Sequence, residues 1–263
     1  MYVMPKQRRI KPKWRVPINV NSPQYQGLVG WWPCSPAMGN ILYDQSGKGR
    51  NGTLTNMTSQ NWGVVPPGEQ QRVLTIPATA RINVNPFNSP RKTIAVWVMS
   101  TGSGTREITN DTGDIFVIRF ASATGPPACI VNTTSGVAAT GTTSLSNSVL
   151  HHVCGSYDGA NVKLYVNGRR VATAAQTGNV QNTSTRYFGV HQNLSANQLA
   201  GSFYEIREYN RGLSDAEAWA LYDPKTRWDL YLPLWRSPLP VASAAAAAAS
   251  LIFPSSFQHI LVR

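Results

Sequence analysis

The stretch Gln198–Leu221, QLAGSFYEIREYNRGLSDAEAWAL, constrains the fold more than any other. Phe203 to Tyr209 alternates large side chains across two faces, the period of a strand in a packed sheet. Asn210-Arg211-Gly212 breaks that pattern. Ser214 with Glu217 three residues later is a capping box, and Ala216, Trp219, Ala220 and Leu221 give a short helix one apolar stripe. A capped mini-helix closing an otherwise β-rich chain is a specific signature.

From Trp31 onward the sequence is short β segments broken by Gly, Pro, Asn and Ser, as an antiparallel sandwich requires. Arg72 to Val84 predicts one or two strands, and Asp114 to Ala121 and Ala128 to Asn132 two more around the breaker Gly125-Pro126-Pro127. Thr101 to Asp114 reads as an exposed loop. Val162, Leu164 and Val166 share one face, and Asn167-Gly168 supplies the positive φ angles of a two-residue hairpin turn. Arg186 to Val190 is a further strand, and there is no internal repeat.

Three segments carry a family resemblance. Gly201 to Ser214, GSFYEIREYNRGLS, is similar to the late "G-x-I-D-E-V-R-I-Y-N-R-A-L-S" segment of laminin-G-like domains. Gly27 to Pro33 with Tyr43 to Gly52, and His151 to Gly159 with Val162 to Gly168, resemble that family's opening strand, its "D-x-S-G-x-G" loop and its "W-H-H-V…Y-D-G…L-Y-V-N-G" hairpin. The resemblance implies an all-β fold: a concanavalin A-like (laminin-G-like) antiparallel β-sandwich jelly roll with one short helix and extended N- and C-terminal arms. The expected organisation is a basic arm over 1–24, the sandwich over 25–222 and a Pro/Trp- and Ala-rich tail over 223–263. Such a fold hosts lectins, glycosidases and inert modules alike.

At 263 residues and 42% hydrophobic composition the chain can bury a full core, which excludes wholesale disorder. No run approaches the roughly 18–20 apolar residues that cross a bilayer, so no membrane role is expected. The basic N-terminus has no apolar segment behind it and is not expected to be a secretory signal. Cys34, Cys129 and Cys154 form no C-x-x-C pair and read as reduced, buried thiols.

The net charge of +12 is unevenly placed. Residues 1–16 carry Lys6, Arg8, Arg9, Lys11, Lys13 and Arg15 with no acid, and Tyr2, Ile10 and Trp14 interleave them. This pattern reads as an arm lying on an acidic protein surface or on nucleic acid, in preference to a solvated tail. Asp223 to Pro240 gathers Trp228, Tyr231, Leu232, Leu234 and Trp235 between prolines. It is too apolar to hang in water, and is expected in a groove of its own sandwich or of a neighbouring subunit. An alanine run, 243–250, and a possible edge-adding strand, Phe257 to Val262, follow.

Catalytic chemistry is not expected. A glycosidase of this fold needs facing carboxylates, and no E-x-D-x-x-E motif occurs. Glu205 and Glu208 fall on opposite faces of a strand, whereas Arg207 shares the face of Glu205. His151 and His152 likewise point apart and make a poor chelate. Calcium, which many relatives bind, would use Asp44 and nearby carbonyls, although the family's second acidic ligand is Tyr204 here; otherwise no cofactor is expected. A sugar platform could draw only on Trp62, Tyr157 or Tyr187.

The lead-in Asn21 to Gly30 resembles that of laminin-G-like proteins of bacteriophages. The resulting expectation is a non-enzymatic virion structural protein, assembled in the host cytoplasm, that decorates or cements a capsid. Lys6, Arg8, Arg9, Lys11, Lys13, Trp14, Arg15, Trp228, Tyr231 and Trp235 would contact the major capsid or another virion protein. A homo-oligomer with exchanged tails, by analogy a trimer, would fit. The alternative is a carbohydrate-binding adhesin or receptor-binding module that meets a cell-surface glycan. Nucleic-acid packaging through the arm ranks third.

Overall fold

A computed structural model describes residues 17–34, 39–64, 72–102, 104–121 and 125–232. In chain order the first strands are β1 (Leu28–Trp32), β2 (Ile41–Leu42), β3 (Gly52–Thr55), β4 (Trp62–Val64), β5 (Arg72–Ile76), β6 (Arg81–Val84) and β7 (Lys92–Ser100). They continue as β8 (Arg106–Asp111), β9 (Phe116–Phe120), β10 (Pro127–Asn132), β11 (Gly136–Thr140) and β12 (Leu150–Tyr157). The last four are β13 (Asn161–Val166), β14 (Arg169–Ala175), β15 (Arg186–Phe188) and β16 (Gly201–Tyr209), followed by helix α1 (Asp215–Tyr222).

These form two antiparallel sheets. The first runs β14-β13-β12-β7-β16-β5-β4, with β1 beside the second half of β16; the other runs β11-β10-β9-β8-β15-β6-β3-β2. The interior is built row by row from facing residues. Leu54, Ile82, Phe188, Thr109, Ile118, Cys129 and Ala139 stand opposite one another across seven strands of the second sheet. All of these but Thr109 join Leu74, Ile94, Val96, Phe203 and Ile206 of the first sheet in one continuous core.

β16 organises the molecule, and all nine of its residues are buried. One edge pairs with β7, and the other is shared by β5 and β1. A bulge between Phe203 and Glu205 resets the alternation, so Phe203 and Ile206 face the sandwich core while Tyr204 and Tyr209 enter a second cluster on the outer face. Gly201 opens the strand where a Cβ would lie 2.0 Å from the Met99 carbonyl oxygen, so only glycine fits there. The Ser214–Glu217 capping box forms as expected, with Ser214 N donating to Glu217 Oε2 at 2.9 Å. The helix buries Ala218 and Leu221, whereas Ala216 and Trp219 are exposed, so its buried stripe lies off the one expected from the sequence.

The outer face of the first sheet is covered by the chain's own flanks. Trp31, Trp97, Tyr204 and Tyr209 pack against Leu221, Trp228, Leu230 and Tyr231. Trp31 meets Tyr231 edge-on at 4.6 Å, and Tyr204 meets Trp228 at 5.9 Å. Each of these large side chains contributes about 1.5–3 kcal/mol on leaving water. Two sequence expectations are thereby corrected. The packed body extends past 25–222 at both ends, taking in 17–24 and 223–232. Trp228 and Tyr231 are spent inside their own domain and are not free to dock a partner.

A third correction concerns Thr101 to Asp114. Its centre, Arg106–Asp111, is a fully buried strand: Arg106 donates to Ser100, Gly102 and Asn147, Glu107 accepts from Asn110 and Asn197, and Asp111 pairs with Arg186 of β15. Lys6, Arg8, Arg9, Lys11, Lys13, Trp14, Arg15 and Trp235, with the alanine run and 257–262, lie outside the described residues.

Candidate functional site: the outer face of the second sheet

Alternation along the short strands of the second sheet sends polar groups outward. In β6, Ile82 and Val84 are buried in the core, which leaves Arg81 and Asn83 on the other face. Tyr187 lies between the buried Arg186 and Phe188 in the same way. Register then aligns them: Thr53 faces Asn83, Asn83 faces Tyr187, and Tyr187 faces Asn110. One row of hydroxyl, amide, phenol and amide therefore crosses four strands, spanning about 14 Å at the usual strand spacing. Beside it Glu107 stands opposite Arg119. Asn83 Oδ1, Asn110 Oδ1, Arg81 Nε and Arg119 Nε are themselves buried and have no hydrogen-bond partner among the described residues.

The loop after β15 folds over one end of this row. Asn110 Nδ2 donates to Glu107 Oε2 and, at 2.8 Å, to Asp114 Oδ1. Asn197 Nδ2 donates to Glu107 Oε1 at 3.2 Å, and Gln192 Nε2 to Asp114 Oδ2 at 2.9 Å. His191 Nε2 lies 3.3 Å from Asp114 Oδ1. Burial raises the pKa of Glu107, whose side chain is 1% exposed with both oxygens engaged. It holds the amides of Asn110 and Asn197 in place. A glycosidase pair needs both carboxyls open to the sugar, and this arrangement does not provide that.

Beneath the row an interior charge cluster fixes β15. Arg186 binds both oxygens of Asp111 at 2.6 Å and Glu208 at 2.6 Å, Arg50 binds Glu208 at 2.6 Å, and Lys92 Nζ lies 3.8 Å from Asp111. Burial pushes the Glu208 carboxyl up, yet Arg186, Arg50 and Lys92 outweigh it and hold it below the usual carboxylate range. Since Arg186 precedes Tyr187, this cluster sets where the Tyr187 ring stands.

A family model described as the concanavalin A-like lectin/glucanases superfamily matches residues 69–218, more than half of the chain. The chain belongs to this superfamily. No curated protein matches the sequence. Among solved structures, domain 4 of an extracellular arabinanase from Geobacillus stearothermophilus, in complex with arabinotriose, superposes with a TM-score of 0.59 at 16% identity. That match covers 74% of this chain and 98% of the arabinanase domain. Trypanosoma rangeli sialidase in complex with sialic acid gives 0.55 at 18% identity, covering 74% of this chain and 32% of the sialidase. The binding domain of botulinum neurotoxin DC in complex with SialylT gives 0.55 at 13%, covering 74% and 50%. This chain thus spans half or less of the sialidase and neurotoxin chains, and at these identities the likeness concerns the fold.

Other expected site residues fall elsewhere on this superfamily domain. Asp44 Oδ1 accepts from Trp31 N and Ser46 N, and Oδ2 from Ser46 Oγ and Arg50 N, all at 2.8–2.9 Å. Four donors aimed at one carboxylate staple the loop and do not fit a calcium ion, and Tyr204 is buried on the other sheet. His152 is buried against Trp97 while His151 points away to Ser146 O at 3.2 Å. Glu205 pairs with Arg207 at 2.8 Å on the outer face, and Glu208 points inward. Of the candidate platform aromatics, Tyr157 is buried with its hydroxyl on Gly178 O at 2.6 Å, Trp62 packs against the core, and Tyr187 alone joins the polar row. Asn83 and Asn110 went unrecognised in the sequence, although the Arg81-Ile82-Asn83-Val84 alternation carries the signal for Asn83.

Proposed function

We propose that this chain is a non-enzymatic adhesion module of a bacteriophage particle, and that it reads a saccharide with the outer face of its second sheet. The observation that carries the reading is the row Thr53–Asn83–Tyr187 on one outer sheet face, Thr53 exposed and Asn83 and Tyr187 half-buried, with the half-buried Arg81 and Arg119 on the same sheet and the buried Asn110 closing one end. Saccharide recognition needs a few fixed polar groups and an aromatic surface, and Tyr187 with its amide neighbours supplies both. The solved neighbours include three complexes whose ligands are arabinotriose, sialic acid and SialylT, which supports the choice of ligand class. The phage setting rests on the resemblance of the lead-in and of the basic leader.

A glycan array probed with the full chain, followed by calorimetry, tests this. Binding should appear and fall roughly tenfold or more in Tyr187→Ala and Asn83→Ala, the cost of about 1.4 kcal/mol or more. Binding that survives both substitutions, or no binding to any glycan, overturns it. A second reading, capsid decoration without a glycan, is favoured by the six basic and no acidic residues of 1–16. Copurification with intact particles in the absence of any glycan binding would select it.

A further inference from the structure

The two outer faces of the sandwich differ in what covers them. On the first sheet the flanks close over the strands, where Ile18 bridges Tyr231 and Leu232 N donates to Pro17 O at 2.8 Å. On the second, Thr53 stays exposed, and Asn83, Tyr187, Arg81 and Arg119 stay half-buried. Among the described residues, the acids of this sheet and its turns are already engaged. Asp44, Glu107, Asp111 and Asp114 each accept hydrogen bonds from groups of this chain.

Arg81 is left without a counter-charge. Its Nε is buried with no hydrogen-bond partner, and no carboxylate reaches its guanidinium among the described residues. Across β3 it faces Thr55, and the next outward residue of its own strand is Asn83, about 7 Å along at the usual rise. Neither carries charge. Arg119 differs, since Glu107 stands directly opposite it on β8 and Arg81 lies three strands away. A guanidinium partly withdrawn from water is costly until an anion pairs with it. Its flat fork matches a carboxylate, two donors to two oxygens.

We infer that the polar row reads an acidic saccharide, with the carboxylate seated on Arg81 and the ring against Asn83 and Tyr187. The inference rests on the saccharide reading of this face and adds the charge of the ligand. A sugar ring with the carboxylate it carries bridges a gap of the size between Asn83 and Arg81. The net charge of +12 draws such a ligand in and raises the rate of encounter. A neutral sugar would leave Arg81 unpaired inside the contact, so charge itself becomes a criterion for binding. Sialic and uronic acids both present the required group.

Calorimetry on the full chain with two matched pairs tests this: sialyllactose against lactose, and trigalacturonate against its methyl ester. In one pair the acidic member should bind roughly tenfold more tightly than the neutral one, and the pair that responds separates a sialic from a uronic acid. Arg81→Gln should bring the acidic member down to the affinity of its neutral counterpart. Arg81→Lys keeps the charge without the fork and should restore only part of the difference. Arg119→Gln removes an equal charge from the same sheet and should change affinity by less than about twofold. Unchanged melting temperatures show that these variants fold. Equal affinity within both pairs, a preference that survives Arg81→Gln, or an equal loss in Arg119→Gln overturns the inference while the saccharide reading stands. Binding to none of the four overturns it as well, and the glycan array then decides the saccharide reading separately.

Discussion

Arg207 on β16 and Gln24 in the N-terminal flank meet in a 2.6 Å hydrogen bond, far from water and 183 residues apart in sequence. The same guanidinium holds Glu205 and the Arg227 carbonyl, and Glu205 in turn accepts from Trp31 Nε1 at 2.6 Å. Removing Arg207 leaves a buried carboxylate uncompensated. Arg207→Ala should destabilise the domain by about 3–5 kcal/mol in urea unfolding. Arg207→Lys should recover little of this, since an ammonium cannot reproduce the fork.

Lys92 is the surplus charge of the interior cluster. Arg50 and Arg186 already balance Asp111 and Glu208, and Lys92 Nζ, 3.8 Å from Asp111, has no hydrogen-bond partner among the described residues. Burial, then Arg186, push its pKa down from 10.5 to about 8. Between pH 8 and 10.5 the unfolded chain binds more protons than the folded one, so stability rises with pH across that window. Below pH 8 the penalty is present in full, on the order of 3 kcal/mol. Lys92→Met should therefore stabilise the domain at pH 7 and lose that advantage by pH 10.5, measured by urea unfolding at each pH.

His152 works in the acid range. Burial, then the Arg207 charge, push its pKa down from 6.5 to about 3, so the folded state keeps it neutral beside Trp97. Its contribution is intact above pH 6.5 and is lost progressively as pH falls toward 3. His152→Leu should shift the midpoint of acid unfolding to lower pH, followed by tryptophan fluorescence.

Ser214→Ala removes the hydroxyl that accepts from Glu217 N, and should cost about 1 kcal/mol. The hydrogen bond from Arg211, at 2.6 Å, heads the causes that bring Glu217 down to about 2. Its stabilising contribution is present above pH 4.5 and fades as pH falls toward 2, so Glu217→Gln should flatten part of the acid limb. Thermal unfolding of the variants at pH 7 and pH 3 checks both.

Local signals were readable from the sequence where they were self-contained. The capping box, the Asn167-Gly168 turn and the alternation of β16 each need only a few neighbouring residues. β8 was not readable, because Arg106-Glu107-Ile108-Thr109-Asn110-Asp111 looks like a polar loop until Arg186 and Asn197, distant in sequence, are seen to meet it. The flanks were half-legible: Trp228 and Tyr231 announced burial but not against what. For the site, Tyr187 could be suspected as an aromatic, whereas its flanking amides gained meaning only from strand order, which pairs β15 with both β6 and β8.

The paired ends also decide how the domain meets mechanical load. Tension applied through both termini pulls Pro17 and Leu232 apart across their shared hydrogen bonds, so the contacts open one after another like a zip and are not sheared together. The first yielding step peels the flanks as far as Arg207, while β16 and the sheets behind it carry no force until that clasp lets go.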